Sequence, residues 1–152
     1  TPYVPYVSYA FMPATRPPTN TKPVAHFNNQ IALTDYTIEK SDRVWEVMLE
    51  WAVLERPGED YTVSVRLVEG GEPVAQDDGE PGDGYYPTGL WRPGDLVVDK
   101  HILELGEQNP DEAELLVGLY VWPTMEQLEA QGPDGTSLGT QVSLPISGKP
   151  SP

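Results

Sequence analysis

The chain has no cysteine, which excludes disulfide staples and thiolate metal sites and leaves the redox compartment undetermined. Basic residues are scarce: 9 Lys and Arg against 24 Asp and Glu give a formal net charge of −15. A field of that sign repels phosphate backbones and anionic headgroups, so no nucleic acid is expected as a partner and no direct membrane insertion by this chain. No run approaches the roughly 18 apolar residues of a membrane span, and the N-terminus lacks a charged region followed by an apolar core. No Asn-x-Ser/Thr acceptor occurs. Motifs that cradle nucleotides, GxGxxG and GxxxxGK[ST], are missing as well. A start at Thr1 without Met is expected of a piece cut from a longer protein.

What the chain has in quantity is punctuation. Its 17 Pro and 14 Gly stand between alternating apolar segments, the pattern of an all-β domain, and no helical pattern intervenes to build a parallel α/β fold. With 152 residues one core-bearing domain is expected. The expected fold is an antiparallel two-sheet β-sandwich, jelly-roll or immunoglobulin-like, with at most one short helix. Residues 1–23 read as a Pro-rich N-terminal segment, either linker or edge strand, residues 24–147 as the sandwich and 148–152 as a C-terminal tail.

Several strands are legible. His26 to Lys40 slips its alternation between Leu33 and Tyr36, which predicts a bulge near Thr34 and Asp35. From Arg43 to Glu55, Trp45, Val47, Leu49, Trp51 and Val53 share one face. The Arg56-Pro57-Gly58-Glu59 turn then predicts a hairpin onto Tyr61, Val63, Val65 and Leu67. Gly70-Gly71 turns the chain into a short strand from Pro73 to Gln76. Leu96 to Leu105 changes apolar parity, which predicts a register break near Lys100. Ala113 to Val121 and Leu138 to Ile146 are further strands, and Met125 to Gln131 is expected to form a turn or two of helix capped by Thr124.

Between these strands, Asp77 to Pro93 has no periodic face and is expected to be a long structured loop, a common place for function. Its acids Asp77, Asp78, Glu80 and Asp83 supply the oxygen ligands that calcium prefers, although the spacing is not that of an EF-hand and a solvated acidic loop is the simpler reading. Its aromatics Tyr85, Tyr86 and Trp91 offer a ligand-binding platform for a glycan; the alternative is that Trp91 plugs the open end of the sandwich and Tyr85 caps it, which leaves Tyr86 as the candidate for exposed contact. Trp122 is a fourth available ring. No catalytic residues are expected: His26 and His101 sit in no nucleophile motif, and among 24 acids some pair at glycosidase spacing arises by chance.

The motifs taken together have a resemblance. Trp51 followed by Asp60-Tyr61-Thr62-Val63, the Val74-Ala75-Gln76-x-Asp78-Gly79 hairpin, Tyr86-Pro87-Thr88, Trp91-x-Pro93-Gly94-x-x-Val97 and Val117-Gly118-Leu119-Tyr120 resembles the extracytoplasmic β-sandwich modules of bacterial mannosyltransferase-like, glycosyltransferase-type multi-spanning membrane proteins. It covers roughly residues 30–121. Ser64 and Arg66 depart from the bulkier Phe and His common there, and Val121-Trp122 replaces an acidic turn, so no shared ligand is carried over. The resemblance implies a non-catalytic accessory module on the cell surface or periplasmic side, recognising a glycan or polymer or holding a neighbouring protein, with the transferase chemistry in the membrane portion. The rival is a carboxylate-pair or metal-assisted hydrolase acting on sugars.

Overall fold

The structure is a computed structural model that describes residues 24–81, 86–108 and 110–146. The N-terminal segment 1–23 and the tail 148–152 lie outside the described residues. Among the described residues, eleven strands build two antiparallel sheets packed face to face: β1 (Ala25–Phe27), β2 (Ile31–Lys40), β3 (Val44–Val53), β4 (Tyr61–Glu69), β5 (Glu72–Gly79), β6 (Leu96–Glu104), β7 (Glu114–Val121), β8 (Glu126–Gln127), β9 (Ala130–Gln131), β10 (Ser137–Gly139) and β11 (Val142–Pro145). The first sheet runs β10-β9-β1-β2-β3-β6, the second β11-β7-β4-β5 with β8 paired to β7. Thr88–Leu90 forms a 3-10 turn.

Alternation sets the core. Trp45, Val47, Leu49 and Trp51 of β3 face Tyr61, Val63, Val65 and Leu67 of β4 and Leu115, Val117 and Leu119 of β7 across one buried cluster, the two-layer packing that a period of two produces. Phe27 meets Trp51 edge to face at 5.9 Å between ring centroids. The expected bulge in β2 is present, as a register shift between Leu33 and Asp35. Val142, Leu144 and Ile146 are buried in phase, as their spacing predicts.

Five expectations need correction. β3 and β4 form no hairpin: β3 pairs with β2 and β6, β4 with β5 and β7, so residues 54–60 cross between sheets. Nor is there a break near Lys100, because β6 pairs with β3 in one register from Val44↔Glu104 to Ala52↔Leu96. Its inward positions are Val97, Asp99, His101 and Leu103, and the apparent change of apolar parity comes from two polar residues on the buried face. β5 extends to Gly79, which places Asp77 and Asp78 in a strand and not in a loop. Finally, the stretch expected as helix after Thr124 is extended: β8 and β9 lie there, and Met125 has φ +65, a left-handed conformation that a helix cannot continue. The strand expected from Leu138 to Ile146 is also divided between sheets, as β10 and β11.

Candidate functional site

β5 and β6 are the edge strands of opposite sheets, and they meet along one side of the sandwich. Asp77 pairs with buried Val65 and therefore points inward, while Asp99 and His101 pair with buried Leu49 and Val47. The result is a clasp between the sheets: His101 Nδ1 lies 2.8 Å from Asp77 Oδ2, and His101 Nε2 lies 2.7 Å from Asp99 Oδ2. Burial, the largest single influence, favours the neutral ring; the hydrogen bonds and charges of the two carboxylates outweigh it and push His101 up to about 9. At neutral pH the ring is an imidazolium donating through both nitrogens. Inward-pointing charged groups on edge strands also block pairing with another sheet, so the clasp serves architecture twice.

Asp78, the next residue, faces the other way. It pairs with Ser64 on the outer side of the second sheet, and its carboxylate accepts the Tyr120 hydroxyl at 2.9 Å and the Gln76 amide at 3.0 Å. Burial first, then the hydrogen bond and charge of Asp78, push the Tyr120 phenol up to about 12. Consecutive strand residues project to opposite faces. Asp77 and Asp78 therefore cannot share an ion. Asp83 lies outside the described residues, and among those described no group of three or more His, Cys, Asp or Glu is arranged to hold a metal.

The aromatic segment packs inward. Trp91 is 1% exposed and its indole N–H donates to the Tyr86 carbonyl at 2.9 Å. Tyr86 is 5% exposed, with its hydroxyl donating to Asp95 at 2.6 Å; burial, then the hydrogen bond and charge of Asp95, raise its phenol pKa. A turn over Arg92 to Asp95, closed by Asp95 N–H to the Arg92 carbonyl at 2.9 Å, places Gly94 at φ +93, the conformation that a Pro-Gly type II turn requires. Thr88, fully buried, ties this segment to the crossover by accepting from Tyr61 N–H at 2.8 Å and donating to the Glu59 carbonyl at 2.6 Å. Trp91 is thus a plug. Tyr86, expected as the exposed contact, is locked beside it because its hydroxyl finds Asp95 inside the fold. Tyr85 lies outside the described residues.

Exposure lies elsewhere. Trp122, just beyond β7, is 68% exposed, and every other aromatic side chain among the described residues is buried. Met125, three residues on, is 51% exposed. This β7–β8 tip sits at the same end as the start of β4, since Tyr61 pairs with Val121. Beside it opens a polar cleft of about 240 Å³ lined by Asn28, Tyr61, Glu59, Glu126 and Glu129 among others. The clasp was hidden in the sequence because Asp99 and His101 read as a break in a strand: Leu96, Val98 and Ile102 offer as good an apolar face as Val97, Leu103 and Leu105, so parity alone does not turn them inward.

Comparison of the sequence with models of known protein families and with curated proteins finds no match. The resemblance to mannosyltransferase-like modules therefore rests on the motifs alone.

Proposed function

We propose that this chain is a non-catalytic accessory module that works by recognition, carried on the extracytoplasmic side by a membrane-anchored parent of the glycosyltransferase type. The observation that carries the non-catalytic reading is the state of His101. A general base needs a free ring nitrogen within reach of the proton it takes, and both nitrogens of His101 are held by carboxylates. Asp99, 1% exposed, is out of reach of a sugar, so the clasp itself offers no carboxylate pair to a hydrolase. Recognition is supported by the tip that exposes Trp122 and Met125 together, since Trp and Met are enriched at protein interfaces relative to the rest of the surface.

Two measurements test this reading. Incubation with a panel of polysaccharides is expected to release no reducing ends; release that disappears in Asp99→Asn would establish a hydrolase and overturn the proposal. The reading frame on either side of this segment is expected to encode apolar membrane spans. A frame without them removes the membrane-anchored parent.

A further inference from the structure

The tip after β7 is held in shape. Met125 N–H donates to the Val121 carbonyl at 2.6 Å, and Leu128 N–H donates to the Leu119 carbonyl at 3.0 Å, with the Leu128 side chain buried as an anchor. Met125 takes φ +65, a conformation that glycine adopts without penalty and that a long side chain adopts at a cost. A strained, half-exposed Met next to an exposed Trp on a braced turn is an arrangement that folding alone does not ask for. Both are side chains enriched at the centres of protein interfaces, where flexible Met fills irregular pockets.

The surroundings identify the occupant. The adjoining cleft, about 240 Å³, has Glu59, Glu126 and Glu129 in its lining and, among the described residues, no lysine or arginine. It is smaller than the roughly 300–1,000 Å³ that hold a small-molecule ligand, which suits one inserted side chain better than a sugar. The chain carries −15, so a second copy would bring like charge to like charge, and an anionic bilayer would repel the tip. A partner with basic side chains around an apolar anchor satisfies both features at once.

We propose that the Trp122–Met125 tip and the adjoining glutamate-lined cleft form a docking surface for a protein segment in which an apolar anchor is followed or preceded by a lysine or arginine. The apolar part covers Trp122 and Met125, and the cation enters between Glu59, Glu126 and Glu129. This rests on the recognition reading above and names the partner's chemistry.

The probe is a displayed library of random peptides selected on the full chain. Peptides that combine an aromatic or aliphatic residue with Lys or Arg are expected to be enriched, and their binding is expected to weaken steeply with salt. Trp122→Ala is expected to weaken the selected peptides at least about tenfold with an unchanged melting temperature, because the ring is exposed. Met125→Gly, which suits the left-handed backbone, keeps the fold and weakens them too. Glu59→Lys with Glu126→Lys is expected to remove the preference for basic over neutral peptides. Enrichment of neutral or acidic peptides, no enrichment, or binding indifferent to Trp122→Ala overturns the proposal. So does oligosaccharide binding or self-association that Trp122→Ala abolishes; either of those leaves the general recognition reading standing, whereas polysaccharide turnover removes that reading instead.

Discussion

His101 of β6 and Asp77 of β5 belong to different sheets, yet Nδ1 and Oδ2 stand 2.8 Å apart. A sandwich closes its two faces by apolar burial, but its sides are open ladders of unpaired backbone. On this side the gap is bridged by a charge-assisted bond, with Asp99 behind the ring at 2.7 Å.

The clasp predicts a pH dependence. Since the folded pKa of His101 is raised from 6.5 to about 9, its contribution is full below the unfolded value and is lost as pH rises through about 9; the shift corresponds to something on the order of 3 kcal/mol. Thermal unfolding measured from neutral to alkaline pH is expected to show wild type losing stability over that window and His101→Gln losing less. Identical slopes in the two proteins would mean that the ring is not charged in the fold.

Two buried indoles should respond differently to loss of their N–H. Trp91 donates to the Tyr86 carbonyl, while Trp51 Nε1 is buried without a partner. Trp91→Phe is expected to be costlier than Trp51→Phe by about 1 kcal/mol in denaturant unfolding, because only the former breaks a hydrogen bond and orphans an acceptor. Truncation to Ala at either site is expected to cost roughly 3–5 kcal/mol. A Trp91→Ala protein as stable as wild type would take Trp91 out of the plug.

Calcium is expected to leave the melting temperature unchanged, and chelator likewise. An ion bound only by the folded state raises stability by linkage, and Asp77 and Asp78 leave β5 on opposite faces, each with its own partner. A reversible rise with millimolar calcium would require these carboxylates, with Glu80 and Asp83, to converge.

Gly118 lies where β7 passes the approach to β11. A Cβ there would stand 2.7 Å from the Thr140 carbonyl oxygen, and backbone cannot rotate away as a side chain can. Gly118→Ala is expected to destabilise by about 1–3 kcal/mol. A neutral result in a melting experiment would show that the Thr140–Gln141 segment yields freely.

The sequence by itself determined which residues of β3, β4, β7 and β11 face the core, because a strand of period two allows one apolar face and each of these strands presents one. It also determined the bulge after Leu33, where alternation has no other way to recover its phase. Only the tertiary structure decided which strands pair: seven residues from Leu54 to Asp60 serve a hairpin or a crossover equally well, and local turn chemistry does not distinguish them. Burial of Asp99 and His101 was undecidable locally for the same reason. A polar residue on an inward position reads as a break in the pattern until its partner is known, and the partner, Asp77, arrives from another sheet 24 residues away in the chain. The aromatic segment shows the converse. Tyr86 and Trp91 read equally well as platform or plug, and the choice fell to Asp95 and the Tyr86 carbonyl, which satisfy their polar atoms inside and leave Trp122, among the described residues, as the ring that faces water.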